Sequence, residues 1–230
     1  MNIAIIGAME EEITLLKSKL DALETLNVSH LEVFSGSLDG HQIYLVQSGI
    51  GKVASAMATT LLIHQFSPDL VINTGSAGGF DPELNIGDIV IADALMYHDV
   101  DVSHFGYDKG QVPAMPKQYV ADSKASSLAF EAAQSLDGIQ VKTGLICSGD
   151  SFIGSDEAAN QIKQDFPDMK AVEMEGASIA QTCHMMNTPC VVIRSLSDIA
   201  GKTSTVSFET YLETAAKHSA MLVLGVIEKL

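Results

Sequence analysis

"DLVINTGSAGGF", residues 69–80, decides the fold. Leu70, Val71 and Ile72 form an apolar run without polar alternation, and the run passes into a segment holding Gly75, Gly78 and Gly79. Such a strand belongs inside a sheet covered on both faces, and the glycines read as the turn at its exit. Upstream, "GIGKVASAMATTLLIHQF" (49–66) predicts a helix with a glycine-rich entry; downstream, "GDIVIADALMY" (87–97) predicts another strand.

Extending outward keeps the alternation. "NIAIIGAM" (2–9) reads as a strand ending in Gly, and "EEEITLLKSKLDAL" (10–23) as a helix with Ile13, Leu15, Leu16 and Leu20 on its apolar side. "LEVFSGSLDGHQIYLVQSG" (31–49) reads as two strands joined at Asp39-Gly40, a strong hairpin dipeptide. After an irregular stretch, 98–121, the chain predicts a helix (122–136), a strand (139–147), a helix (155–166), a strand (169–174), a helix (176–187), a strand (189–197) and a terminal helix. Helical spacing of Phe208, Tyr211, Leu212, Ala215, Ala216, Leu222 and Val223 marks the last. The expectation is an α/β fold: one domain over residues 1–230, with a central mixed, mostly parallel sheet flanked by helices. No linker, composition shift or repeat divides it.

The bulk numbers bound the function. A chain of 230 residues that is 47% apolar can build its core without staples. Three cysteines, Cys147, Cys183 and Cys190, with no C-x-x-C pair argue for a reducing compartment, hence the cytoplasm. The N-terminus turns acidic at once, unlike a secretory signal, and no apolar run approaches the ~18 residues of a membrane span. A formal charge of −16 argues against nucleic acid as a partner. Of the 13 basic residues, Arg194 is the only arginine.

Ligands of such sheets bind at the carboxyl ends of strands, so the strand exits carry the information. Glu10, Glu11 and Glu12 open a helix, where acids complement the dipole by ~0.3–1 kcal/mol; three exceed what a cap needs, leaving one for the cleft. Gly49, Gly51 and Ala54 approach a dinucleotide fingerprint, but the next strand ends in Asn73-Thr74 rather than an acid, which disfavours that site. "NTGSAGG" around Ser76 lacks the lysine of a phosphate-binding loop; its glycines either turn the chain or let backbone approach a ligand. "HDVDVSH", with His98, Asp99, Asp101 and His104, has no trusted metal spacing, so a polar loop outweighs a metal site. The sharpest signal is "VVIRSLSD" (191–198). Arg194 sits in a buried strand and must find carboxylates or a ligand, with Glu12, Glu173 and Glu175 as candidate partners and Asp198 at the exit.

"GAMEEE", "SGIGKVASA", "VINTGSAGGF", "HDVDVSHFGYDKGQ", "SGDSFI", "AVEMEG" and "RSLSD" occur in this order over essentially the whole chain. Together they resemble the bacterial 5′-methylthioadenosine/S-adenosylhomocysteine nucleosidases of the nucleoside phosphorylase superfamily. The resemblance implies hydrolysis of the N-glycosidic bond of 5′-thioadenosines, and of 5′-deoxyadenosine, to adenine and the corresponding sugar. It further implies a homodimer with no metal and no cofactor, serving methionine salvage and the supply of quorum-signal precursors.

Residue by residue, the resemblance makes Asp198 the acid that protonates adenine N7, with Ser197 beside it. Glu12 activates the attacking water, with Ser76 and Arg194 near it. Glu175 accepts from the ribose hydroxyls, Phe152 stacks on adenine and the Ile153 backbone reads its edge. Met9, Ile50, Met174 and Phe208 line the ribose and 5′-thio pocket, with Gly78 and Glu173 among the contacting positions. Val102, Phe105, Tyr107 and Pro113 reach the partner subunit's pocket. Two departures are small: Gly176 where relatives carry Ala, tolerable at a helix start, and Gly201, which loosens the loop after the acid.

Alternatives are a phosphorylase or a non-catalytic nucleoside-binding module on the same fold. A single arginine among acids is a poor seat for a phosphate dianion, although lysines and backbone amides leave that route open. Glu173 and Glu175, two apart, would share one side of an extended strand. Because Met174 also faces the ribose, the chain must turn there. The resemblance gives the hydroxyls to Glu175, and Glu173 is left with a weaker role, either supporting the site or pairing with Arg194.

Overall fold

In the computed structural model, which describes residues 1–200 and 204–230 (side chains of 204–206 excepted), the buried run at the centre of the chain is β5 (Leu70–Gly79). It is buried along nearly its whole length and pairs in parallel with β1 (Asn2–Gly7) on one side. Beyond the end of β1 the same edge meets β9 (Met169–Glu173) in antiparallel fashion, and the other edge pairs in parallel with β10 (Cys190–Ile199). β9 continues to β8 (Val141–Ser148), β8 to β6 (Ile89–Tyr97), and β6 back to β10. The mixed sheet therefore closes on itself through β5 and opens outward through β1 to β4 (His41–Gln47), β3 (Leu31–Leu38) and β2 (Asp21–Val28). This is the expected α/β architecture, with the closure as an addition.

Helices cover both faces. α1 (Glu10–Lys17), α3 (Ser123–Ala133) and α6 (Ser204–Lys229) pack with the core of Ile3, Ile5, Ile72, Ile91 and Ile193. α2 (Lys52–Phe66) and α5 (Gly176–Met185) cover the opposite core of Ile6, Val71, Val90 and Val192. α4 (Asp156–Asp165) lies over a smaller cluster around Met96, Phe166 and Met169. Asp122 caps α3 by accepting from Ala125 N, and Ser155 caps α4 by accepting from Ala158 N, which fixes both starts. Cys147, Cys183 and Cys190 are buried free thiols.

Three sequence expectations need correction. The helix expected over 10–23 stops at Lys17, and Asp21–Val28 forms edge strand β2 against β3. Its residues are largely exposed, so pairing rather than burial sets its state and overrides local propensity. The glycines of "NTGSAGG" do not turn the chain; they lie within β5, which runs on to Gly79. The irregular stretch 98–121 carries a short 3-10 turn (Ser103–Phe105) and a two-residue strand, β7 (Tyr119–Val120). Gly201 lies outside the described residues. Among those residues no helix is long and apolar enough to cross a membrane.

One polar pin fastens α6 to the sheet. Ser219, fully buried, shares a hydrogen bond of 2.6 Å with the Thr74 hydroxyl and accepts from Gly75 N at 3.2 Å. Ser219→Ala strands a buried backbone donor, so it should cost about 2 kcal/mol in urea denaturation; an unchanged midpoint would show that the pin carries no net stability.

Candidate active site

The exits of β1, β5, β9 and β10 converge on a cavity of about 240 Å³. Met9, Glu12, Ile50, Ser76, Gly78, Phe152, Glu173, Met174, Glu175, Ser197, Asp198 and Phe208 all line it. Ile153 lines a small annex of about 40 Å³, together with Phe152 and Asp198. The Phe152 ring stands edge-on to Phe208, centroids 5.7 Å apart, forming an aromatic wall. Val102, Phe105, Tyr107 and Pro113 do not line the cavity of their own chain.

Glu12 is buried while Glu10 and Glu11 remain exposed, so two acids suit the helix start and the third faces the cleft. One Glu12 oxygen accepts from Ala8 N (2.7 Å) and Met9 N (3.2 Å); the other accepts from Ser76 N (3.0 Å) and Ser76 Oγ (3.2 Å). Four donors leave this carboxylate little freedom to rotate. Gly75 makes the arrangement possible. A Cβ there would lie 2.6 Å from Glu12 Oε1 and 2.7 Å from Arg194 Nη1. The glycine thus serves the close approach of side chains.

Arg194 is 1% exposed, and its Nη2 donates to Glu173 Oε2 (2.5 Å) and Asn73 Oδ1 (2.6 Å). Glu173 also accepts from Glu175 N (2.9 Å), Gly176 N (2.8 Å) and the Ser148 hydroxyl. Burial alone would raise its pKa, but Arg194 and these donors hold it below the usual carboxylate range. Glu173 sits on the N-terminal amides of α5, where a negative charge is favoured. A Cβ on Gly176 would fall 2.7 Å from Leu95 Cδ2, so in this chain the glycine fits the packing behind the site.

The strand ends at Glu173, and Glu175 has φ −129° and ψ −36°, so the chain has turned between them and the two acids separate as expected. Glu175 accepts from Gly51 N at 2.8 Å and lies 3.7 Å from Arg194 Nη2. Burial, reinforced by the neighbouring Glu173 charge, pushes its pKa up to about 8. Asp198, 2% exposed, is likewise raised by burial, to about 6, although Ser197 Oγ donates to it at 2.9 Å. A bulge in β10 between Leu196 and Asp198 lets both Ser197 and Asp198 face the cavity.

Sequence reasoning missed Asn73 and Ser148. Asn73 stands where the dinucleotide reading wanted an acid; its amide donates to Ile6 O (2.8 Å) while its oxygen serves Arg194. Ser148 donates to Glu173 and accepts from Ala177 N at 2.7 Å, and a hydroxyl closing a buried strand was its only signal. Ala8, Ala77 and Val172 complete the lining. In "HDVDVSH", Asp99 pairs with Lys52 Nζ at 2.7 Å, while Asp101 accepts from Ser103 N and Oγ within the loop.

The family model of the phosphorylase superfamily matches residues 2–228. The 5′-methylthioadenosine/S-adenosylhomocysteine nucleosidase of Pseudoalteromonas translucida is 54% identical over the whole chain and 98% of its own length. A nucleosidase of the same description from Colwellia psychrerythraea, solved in complex with adenine, superposes with a TM-score of 0.98 at 49% identity, covering 100% of this chain and 96% of that one. The Neisseria meningitidis nucleosidase, in complex with methylthio-immucillin-A, gives 0.98 at 44% identity, covering 100% and 99%.

The unequal environments of the two glutamates predict unequal stability effects. Glu173→Gln unpairs a buried guanidinium and should lower stability by about 3 kcal/mol. For Glu175 the folded pKa is raised, so the folded state loses stability as pH climbs from the ordinary carboxylate range through about 8. Glu175→Gln should therefore gain on the wild type as pH rises across that window. Melting curves from pH 5 to 9 check both; parallel curves for the two variants would refute the division.

Proposed function

The chain belongs to the phosphorylase superfamily and, within it, to the 5′-methylthioadenosine/S-adenosylhomocysteine nucleosidases, and from that membership we propose that its cavity hydrolyses the N-glycosidic bond of 5′-methylthioadenosine, S-adenosylhomocysteine and 5′-deoxyadenosine, releasing adenine. The observation that carries this reading is Asp198: a buried carboxyl with a pKa raised to about 6, sharing one cavity with Glu12 and Glu175.

Adenine leaves poorly as an anion. As the C1′–N9 bond breaks and its electron pair moves into the base, Asp198 gives its proton to N7 and adenine departs neutral. Phe152 stacks on the base, the Ile153 backbone reads its edge, Ser197 orients the acid, and Phe208 lines the ribose and 5′ pocket. The sugar gains oxocarbenium character, which Glu175 and the neighbouring carboxylates offset. Glu175 accepts from the ribose hydroxyls, and the growing positive charge favours its anion against the burial that keeps it protonated. Met9, Ile50, Met174 and Gly78 shape the ribose and 5′ pocket. Water adds to C1′ as Glu12, fixed by Ser76, takes its proton. Arg194 acts through Glu173 and Glu175 rather than on the substrate.

Water as the nucleophile, rather than phosphate, is supported by the commitment of Arg194 to Glu173 and Asn73, and no lysine among the described residues lines the cavity. A non-catalytic binding module would not need an acid held near pH 6. Neither a metal nor a cofactor enters this scheme. The buried free thiols support a cytoplasmic setting, where the reaction would serve methionine salvage and quorum-signal precursor supply.

The active unit we propose is a homodimer. A groove of about 590 Å³ runs between α2 and α5, and Val53, Met57 and Met185 are exposed around it. Phe105 is 77% exposed and, with Val102, Tyr107 and Pro113, would complete the partner's pocket.

Adenine release from S-adenosylhomocysteine should proceed at the same rate with and without phosphate; a requirement for phosphate would make this a phosphorylase. Asp198→Asn should reduce turnover by ~10²–10⁴. Because the acid must be protonated, kcat/KM should fall as pH rises through about 6, and the variant should lose that dependence. Val53→Glu combined with Met57→Lys should yield a monomer of low activity in sedimentation and rate assays; an intact, active dimer would move the interface elsewhere.

A further inference from the structure

The amide that fixes Glu175 comes from a backbone turn with an anchor of its own. Gly51, at φ +95°, stands at the start of α2 and donates to Glu175 Oε1. The next amide, Lys52 N, donates to Asp150 Oδ1 at 2.8 Å, 98 residues away in sequence. Asp150 N in turn donates to Asp99 Oδ2 (3.0 Å), and Lys52 Nζ closes the ring on the same Asp99 oxygen (2.7 Å). Lys52 Nζ also lies 3.9 Å from Asp150 Oδ2. Asp99 and Asp150 follow the ends of β6 and β8 respectively, so the ring ties the start of α2 to two strand ends.

The geometry is specific to glycine. A Cβ at Gly51 would lie 2.9 Å from Asp150 Oδ1, and the positive φ disfavours any other residue. Burial would raise the Asp99 carboxyl, but Lys52 and the Asp150 amide outweigh it and hold Asp99 ionised. None of Lys52, Asp99 and Asp150 lines the cavity.

We propose that Asp150, braced by Asp99 and Lys52, is a positioning residue: it sets the Gly51–Lys52 turn so that the Gly51 amide aims at Glu175 and fixes the carboxyl that receives the ribose hydroxyls. The inference rests on the assignment of Glu175 to those hydroxyls. Adjacent amides of one turn serve two acids, Asp150 from outside and Glu175 from inside. Loss of the outer bond frees the turn to rotate and misdirects the inner one. The penalty then falls on substrates with hydroxyls for Glu175 to hold.

The experiment compares 5′-methylthioadenosine with its 2′,3′-dideoxy analogue in Asp150→Ala, Asp150→Asn and Glu175→Gln. Asp150→Ala should lower kcat/KM for the natural nucleoside about tenfold, the size of one positioned hydrogen bond. It should leave the dideoxy analogue within about twofold of wild type, on the same scale. Asp150→Asn keeps the Oδ1 acceptor and should recover most of the loss. Equal losses on both substrates would make Asp150 merely structural, and no loss on either would remove the residue from the site; both overturn the proposal. Glu175→Gln separates the two readings. If it discriminates between the substrates while Asp150→Ala does not, the positioning role fails and the Glu175 assignment stands. If Glu175→Gln lowers both equally, the assignment fails and takes the proposal with it.

Discussion

The ion pair between Arg194 and Glu173 is the constraint on which the site depends. Arg194 is buried on a strand behind the apolar run Val191–Ile193, and an unpaired guanidinium there would cost several kcal/mol. Glu173 meets that need at 2.5 Å and Asn73 at 2.6 Å, which joins β10, β9 and β5 at one point. Each satisfied atom then dictates another. Glu173 takes the first amides of α5, α5 sets the turn at Glu175, and Glu175 reaches the Gly51 amide just ahead of α2.

Around this pair the protein grades its carboxylates by surroundings alone. Glu173 is kept ionised by a cation and several donors. Glu175 lies two residues on, and with burial and that neighbouring charge it rises to about 8. Asp198, buried with a single hydroxyl donor, rises to about 6. Three acids of similar intrinsic strength thus carry protons over different pH ranges, which is what a site needs if one must donate a proton while others carry charge.

Much of this was legible in the sequence, for identifiable reasons. Arg194 stood out because an arginine inside "VVIR" has no place in a core without a partner. The period of a strand alone would put Glu173 and Glu175 on one side; their separation came from the family resemblance, which has Met174 facing the ribose as well. The strand order along the chain followed from apolar runs alternating with helical spacing. Asn73 and Ser148 stayed hidden because their partners lie 121 and 25 residues away, and a single polar side chain does not announce a distant one. The first three residues of β2 were read as the end of a helix and the rest given no element, because only pairing with β3 makes this exposed segment a strand. The glycines of β5 were read as a turn because their purpose, such as the room Gly75 leaves for Glu12 and Arg194, exists only once the strands are assembled.

The closure of the sheet through β5 has a kinetic meaning. Glu12 and Asp198 come from nearly opposite ends of the sequence, and they share a cavity only after β5 has paired with both β1 and β10. Contacts of such long sequence separation form late, since loop entropy must be overcome before they reward the chain. A partly folded chain, however rich in local helix and hairpin, has no cavity to work with. Activity therefore reports the completed pairing of β1, β5 and β10 rather than the presence of local helix or hairpin.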